Sequence, residues 1–313
     1  MGERLAGFAA SPGPRAHLNR SFYRPFPEAV LMTWDPSAEW TGYAAPTSFD
    51  DYAKRYERFF RMRREDGIIE LRMHTDDGPY RHTHAAHNAW ARVWQDVGND
   101  PKNQVLILTG TGDQWMMGDP KGLNPKPAAE LDPDHIYQRM MDGWKHIESF
   151  IYSIDMPTIA AVNGPGVHTE FALLSDVAFS APDADFMDPH FWLGSPPGDG
   201  QGMALQALMG PKRAAYYIYA AKSIPAPTAL ERGLVNEIFP QEELLDRAWD
   251  LARYMMKRPR YTRWATHNIL SRHWKKAISE DFGFHMAHQM LANVASQSVV
   301  PDPALLADPR NPF

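Results

Sequence analysis

The residues best able to do chemistry in this sequence are histidines that lie near carboxylates. His190 and Asp199 are nine positions apart, across a loop rich in proline and glycine. An imidazole with its ordinary pKa of about 6.5 accepts a proton from water near neutral pH, and a carboxylate partner fixes its tautomer. The spacing therefore predicts a pair that activates water. The alternative is that His190 merely packs in its loop beside Phe191 and Trp192.

A second group of histidines, His82, His84 and His87, raises the question of a metal site. His84 and His87 are three positions apart and would share one face of a helix. A divalent site usually adds a carboxylate or a distant histidine, and the sequence indicates neither. We therefore predict the start of a helix without a bound metal. His285 and His288 have the same spacing and are predicted to form a polar helix face.

Several kinds of chemistry are excluded by composition. The chain has no cysteine, which excludes disulfides, thiolate zinc sites, iron–sulfur clusters and a cysteine nucleophile. The turn Gly110-Thr111-Gly112 has Trp115 in place of the third glycine of a dinucleotide-binding motif, and no acidic residue completes that motif. We therefore expect neither a nicotinamide nor any other cofactor.

Charge and hydropathy argue against nucleic acid or membrane as a partner. Lysine and arginine number 32 against 38 aspartate and glutamate, a net charge of −6, without the basic excess that nucleic-acid binding favours. No apolar run approaches the roughly 18–20 residues of a membrane span, and the N-terminus lacks the pattern of a signal peptide. The expected location is the cytoplasm.

The elements that must position these residues alternate between strands and helices. Buried parallel strands are predicted at 105–109 and 158–162, each followed by a glycine-containing turn, and a further strand at 67–73. Helices are predicted over 83–97, 135–152, 202–209, 212–221, 227–232, 241–257 and 260–293. This order predicts an α/β fold. We divide the chain into an extended, proline- and aromatic-rich arm (1–50), a sheet-containing core (51–240) and a helical C-terminal region (241–313).

Four segments in this order resemble the crotonase, or enoyl-CoA hydratase/isomerase, superfamily: VLILTGTGDQWMMGD, MPTIAAVNGPG, SDVAFSAPDADFMDPHFWLGSPPGDG and ALERGLVNEIF. The resemblance implies a crotonase-like spiral of ββα repeats with a helical C-terminal trimerisation region, and hence a homotrimer or hexamer. It also implies two backbone N–H groups that hold an enolate, one at Met117 and one near Gly166 or Val167. Such donors are worth about 3–4 kcal/mol each in a transition state.

The sequence departs from a hydratase at the positions that choose the reaction. The loop that starts at Asn163 is two residues shorter and lacks the family's glycine triplet, His190 stands at the second carboxylate position, and Asp199 stands where a small residue is usual. This pattern is similar to that of the 6-oxocamphor hydrolase-like β-diketone hydrolases, which cleave a carbon–carbon bond by a retro-Claisen reaction. The resemblance extends to His168 and His87.

Two positions differ from that offshoot: His82 replaces its tryptophan and Gln289 its C-terminal carboxylate. The resemblance implies that His190 and Asp199 activate water, while His168 and His87 hold carbonyl oxygens or move protons. The alternative for His168 is hydrogen bonding within its own loop. Glu170, at the hydratase carboxylate position, is expected to support rather than catalyse, because a second negative charge would oppose the enolate.

We therefore expect a cofactor-independent hydrolase acting on a small-molecule β-diketone. Trp115 and Trp192, with neighbouring methionines, belong either to the core or to an apolar substrate pocket. One alternative is a CoA-thioester hydratase or isomerase that uses Glu170, although the missing glycine triplet argues against it. Another is a non-catalytic member of the superfamily that serves in assembly or binding.

Overall fold

The computed structural model describes residues 46–118 and 133–296. Within them, the strands are β1 (Phe60–Glu65), β2 (Ile68–Met73), β3 (Arg81–His82), β4 (Val105–Thr109), β5 (Met117–Gly118), β6 (Thr158–Val162), β7 (Val177–Ser180), β8 (Asp185–Phe186), β9 (Ile224–Pro225) and β10 (Glu237–Ile238). The helices are α1 (Phe49–Arg55), α2 (His84–Asn99), α3 (Pro133–Ser153), α4 (Glu170–Leu173), α5 (Gln201–Met209), α6 (Pro211–Tyr219), α7 (Ala226–Glu231), α8 (Gln241–Met256), α9 (Arg260–Leu270), α10 (Arg272–Ala277) and α11 (Gly283–Ser296).

The main sheet has six strands in the order β1-β2-β4-β6-β7-β10. The pairing of β1 with β2 is antiparallel, and all the other pairs are parallel. Asp66 and Gly67 join β1 to β2 with φ angles of 48° and 85°, which matches the two left-handed positions of a tight hairpin turn. Every residue of β4 and β6 is buried. The predicted buried parallel strands are therefore confirmed.

Both faces of the sheet are covered, as buried parallel strands require. On one face α2 and α3 pack together over a large core that includes Trp90, Trp94 and Phe171. On the other face α8 covers β4 and β6 through a smaller cluster that includes Trp249. The prediction of a mixed α/β fold with a helical C-terminal region is confirmed.

Two features of the elements differ from what the sequence predicted. The single helix expected over 260–293 is divided at Ser271, whose ψ of −6° interrupts the helical path, and by a π-helical segment, Ile278–Phe282. Two-residue strands such as β3 and β5 were not predicted, because two residues carry no periodicity. Residues 1–45 of the predicted arm lie outside the described residues, while α1 begins within its end, at Phe49, capped by Ser48. None of the helices described is long and apolar enough to cross a membrane.

Candidate active site

Four imidazoles from separate elements form one cluster beside the sheet. His82 ends β3, His87 lies in the first turns of α2, His146 is on α3, and His168 precedes α4. The ring centroids are 4.3 Å apart for His82 and His168, 5.3 Å for His82 and His87, and 4.6 Å for His87 and His146. We call these four residues the histidine cluster. The structure therefore brings together three predicted residues, His82, His87 and His168.

Asn163 holds the two loops of the site against each other. Its Oδ1 accepts a hydrogen bond from the N–H of Gly110 at 3.0 Å, and its Nδ2 donates to the carbonyls of Gly112 and Gln114 at 2.8 Å each. A Cβ at Gly164 would lie 1.8 Å from the carbonyl oxygen of Asp113. The two loops can run this close only because position 164 has no side chain.

Two of the backbone donors predicted for the enolate, the amides of Met117 and Val167, are hydrogen-bonded to carbonyls of the chain. The N–H of Met117 donates to the carbonyl of Tyr80 at 3.0 Å, and the N–H of Val167 donates to the carbonyl of Met116 at 2.8 Å. Gly166 is buried against the first loop, where an added Cβ would lie 2.6 Å from the nitrogen of Met116. In this arrangement the amides of Met117 and Val167 are not free to hold an enolate.

His168 is oriented by a carboxylate. Its Nδ1 lies 2.8 Å from Oε1 of the fully buried Glu170. Its φ of 53° is in the left-handed region, and its carbonyl accepts a hydrogen bond from Nε1 of the buried Trp115 at 3.2 Å. Burial opposes protonation of His168, but Glu170 and then Asp199 together raise the pKa of the imidazole. The charges of His168 and its neighbours likewise lower the pKa of Glu170 against its burial.

His190 lies between two carboxylates. Its Nδ1 is 2.8 Å from Oδ1 of Asp188, and its Nε2 is 3.1 Å from Oδ2 of Asp199. Burial disfavours the charged ring, yet Asp199 and then Asp188 raise its pKa well above 6.5. The pKa of Asp199 is lowered against its burial, first by His190 and then by His168. The predicted pairing of His190 with Asp199 is thus present, but the second carboxylate stabilises His190 as a cation.

Asp199 joins the two imidazole–carboxylate units. Its Oδ2 also lies 3.6 Å from Nδ1 of His168, so one carboxylate oxygen faces both rings. His82 differs from both of them, because burial and the nearby rings of His168 and His87 lower its pKa well below 6.5. Its buried Nδ1 has no hydrogen-bond partner among the described residues. The site therefore combines an imidazole that favours the charged form, His190, with one that favours the neutral form, His82.

Two residues of the site were missed by sequence analysis. His146 is buried on α3, on the same face as Ile147 and Phe150, and a histidine inside that apolar pattern was the signal that could have revealed it. Asp188 lies two residues before His190 and gave no periodic signal. Of the other residues singled out from the sequence, Trp192 is half-buried and Gln289 is buried, so close to Gly198 that a Cβ added there would lie 2.5 Å from its Cβ.

The chain belongs to the enoyl-CoA hydratase/isomerase family, whose model matches residues 67–300. Among curated relatives, the crotonyl-CoA hydratase of Syntrophomonas wolfei is 34% identical over 151 residues, 48% of this chain and 56% of the relative. The carnitinyl-CoA dehydratase of Escherichia coli K12 is 32% identical over 167 residues, 52% of this chain and 62% of the relative. These matches thus span less than two thirds of either relative.

Solved structures agree on the crotonase fold. A β-diketone hydrolase from the cyanobacterium Anabaena sp. PCC 7120, bound to (S)-3-oxocyclohexyl acetic acid, is 29% identical with a TM-score of 0.72, covering 78% of this chain and 97% of that one. An enoyl-CoA hydratase/isomerase from Mycobacterium paratuberculosis is 23% identical with a TM-score of 0.70, covering 77% and 95%. The second likeness shows the fold alone, whereas the first is to a hydrolase of the predicted class.

Proposed function

We propose that this chain is a hydrolase that cleaves a carbon–carbon bond of a cyclic or bicyclic β-diketone by a retro-Claisen reaction. The observation that carries the proposal is the meeting of two imidazole–carboxylate units at Asp199, His190 on one side and His168 with Glu170 on the other. The similarity to the Anabaena β-diketone hydrolase supports the same chemistry.

The reaction adds one water molecule and needs no electron acceptor. The water oxygen bonds to one carbonyl carbon, and the bond from that carbon to the carbon between the two carbonyls then breaks. The bonding electrons form an enolate on the second carbonyl, and a proton returned to its carbon gives a ketone and a carboxylic acid. The protein must therefore supply a base, a proton donor and groups that stabilise negative oxygen.

His168 is the imidazole best placed to act as the base. Glu170 holds its Nδ1 and leaves Nε2 to accept a proton from water, as a carboxylate orients the histidine of a serine protease. His190 was the predicted base, but each of its ring nitrogens faces a carboxylate, and a doubly protonated imidazole has no lone pair. We assign His190 instead the positive charge that offsets the developing enolate.

His82 and His87 take the place of the occupied backbone amides. A neutral imidazole can donate a hydrogen bond to a carbonyl or enolate oxygen, and His82 is buried, neutral and next to His168. His87 adjoins His82, with ring centroids 5.3 Å apart, and would hold the second carbonyl or move a proton. These two rings would fix the diketone between the base and the cation.

The proposal is tested by incubating the full chain with a panel of cyclic and bicyclic 1,3-diketones and following the loss of enolised-diketone absorbance. His168→Ala, His190→Ala and Asp199→Asn should each lower turnover by about 10²–10⁴. His273 is exposed, so His273→Ala is the matched control and should keep wild-type turnover. Cleavage of no diketone, or near-normal turnover in the three site variants, would contradict the proposal.

The CoA-thioester alternative has its own measurement, because the curated relatives are named for CoA substrates. We expect acetyl-CoA to bind weakly or not at all in calorimetric titration, since the shortened loop should alter the groove for the pantetheine arm. Micromolar affinity would favour a hydratase or isomerase that uses Glu170. An intact assembly that turns over neither class of substrate would favour a non-catalytic role.

A further inference from the structure

Three ligating side chains, one of them the proposed base, come together in the site: His146, His168 and Glu170. We propose that they form a binding site for a divalent transition-metal ion of the zinc class. The site has two imidazoles and one carboxylate, a donor set that suits Zn²⁺ and related ions better than Mg²⁺ or Ca²⁺, which prefer oxygen ligands alone.

The distances suit a single ion after small side-chain adjustments. Oε1 of Glu170 lies 3.7 Å from Nε2 of His146 and 2.8 Å from Nδ1 of His168, and the three ligand atoms all lie within 4.8 Å of one another. Zinc bonds of about 2.0–2.2 Å place tetrahedral ligands roughly 3.3 Å apart. The present spacing brackets that value.

Unpartnered buried atoms give an independent reason to expect a cation. His146 is 1% exposed, and neither of its ring nitrogens has a hydrogen-bond partner among the described residues. Oε2 of Glu170 is buried without a partner as well. Each such atom costs free energy until it is satisfied. A metal ion bound between His146 and Glu170 would give Nε2 of His146 the partner that it lacks.

Metal binding would compete with the proposed hydrolysis, and this part of the inference rests on the proposed function. The ion would take Nδ1 of His168 and Oε1 of Glu170, the two atoms whose hydrogen bond orients the base. His168 bound in this way could no longer present Nε2 in the same orientation. We therefore expect Zn²⁺ to inhibit rather than assist diketone cleavage.

The site itself is tested by titrating the full chain, without an affinity tag, with Co²⁺ and recording visible d–d absorption. We expect a band that saturates at one equivalent and is displaced by Zn²⁺. His146→Phe should weaken Co²⁺ binding by more than the roughly 10–100-fold typical of losing an outer-shell partner. Exposed His288 provides the control, and His288→Gln should bind as the wild type does.

A second variant, His146→Gln, guards against misfolding of the first, and circular dichroism confirms that each variant is folded. No saturable band in the wild type, or an undiminished band in both folded His146 variants, would overturn the site. The ratio of diketone cleavage with and without Zn²⁺ is then measured within each variant. The rate with Zn²⁺ divided by the rate without it should be well below one for the wild type and close to one for His146→Gln. A wild-type ratio near one at saturating Zn²⁺ would contradict the proposal that metal binding competes with hydrolysis. If no diketone is cleaved, the proposed function fails, but the Co²⁺ titration still decides the site.

Discussion

At the scale of single residues, the unusual feature is an imidazole with a carboxylate at each nitrogen. Asp188 and Asp199 together keep the pKa of His190 well above 6.5, so the ring keeps its proton to higher pH than an ordinary imidazole. A protonated His190 can stabilise an enolate without first taking a proton from solvent. The carboxylates near His168 face only its Nδ1, whereas His190 has one at each ring nitrogen, and the proposed division of labour depends on this difference.

Asp188→Asn removes one of the two charges and should lower the pKa of His190. The alkaline limb of kcat/KM should then move to lower pH, because the cation is lost earlier as pH rises. Histidine ring-nitrogen NMR titration gives the pKa directly, and Asp183→Asn in the exposed neighbouring turn is the control. An unshifted His190 titration in Asp188→Asn would show that Asp199 alone holds the proton.

The pair of His190 and Asp199 makes the stability of the fold depend on pH. His190 has a raised pKa in the folded state, so its contribution is complete below its unfolded value of about 6.5 and is lost as pH rises through the folded value. Asp199 has a lowered pKa, so its contribution is complete above about 3.9 and is lost as pH falls through the folded value. The pair therefore stabilises the fold most between about pH 4 and 6.5.

The sequence identified those site residues that carry a short-range signal or match a family position. His190 and Asp199 share one loop, and His168 lies next to Glu170, so both pairs are visible locally. His146 reaches the site only because α3 packs on α2, and its spacing from His87 says nothing of that contact. The amides of Met117 and Val167 stay a prediction as enolate donors, and sequence patterns could not reveal their hydrogen bonds to the distant carbonyls of Tyr80 and Met116.

At the scale of elements, the site depends on how closely two loops approach. Gly164→Ala would place a Cβ 1.8 Å from the carbonyl oxygen of Asp113, so one loop must shift. We expect a loss of about 1–3 kcal/mol in the free energy of unfolding, measured by chemical denaturation, with a loss of activity. Gly78→Ala is the matched control, because its Cβ would lie 3.6 Å from the nearest atom. Equal stability of the two variants would show that the two loops can move apart without a loss in the free energy of unfolding.

Helices and strands could be predicted where an apolar run or a periodic apolar pattern continues over several residues. The five-residue strands β4 and β6 are wholly apolar or small and stand out, and α2 follows its predicted span with an added residue or two at its C-terminal end. The break at Ser271 and the π-helical segment after α10 leave the polar–apolar pattern of the sequence nearly unchanged. Gly283, which follows the π-helical segment, lies close to the indole of Trp144, and a Cβ added there would lie 3.1 Å from Cη2.

At the scale of the whole molecule, the C-terminal helices carry exposed apolar side chains. On α9 and α11 they are Tyr261, Trp264, Ile269, Leu270, Phe284, Leu291 and Val294. Exposed apolar side chains in such numbers are typical of an interface, and we expect these helices to contact another copy of the chain. Burying these side chains between subunits would gain about 25 cal/mol per Å² of apolar area.

The double variant Ile269→Glu/Leu270→Glu should therefore shift a trimer or hexamer towards smaller species in sedimentation velocity. Two added charges per subunit would have to be desolvated in an apolar interface. Leu230 on α7 is exposed in a different region, and Leu230→Glu should leave the assembly unchanged. A wild-type monomer, or an unaltered assembly in the double variant, would contradict the prediction.

The histidine cluster and its carboxylates come from five separate stretches of chain between His82 and Asp199, joined only by tertiary contacts. Contacts between segments so far apart in sequence form late, because loop closure and parallel strand pairing must come first. Helices such as α2 and α8 can form locally and early. During refolding, far-ultraviolet dichroism should therefore recover before the shifted titration of His190 does. The titration of His190 would thus report when the last tertiary contacts of the site have formed.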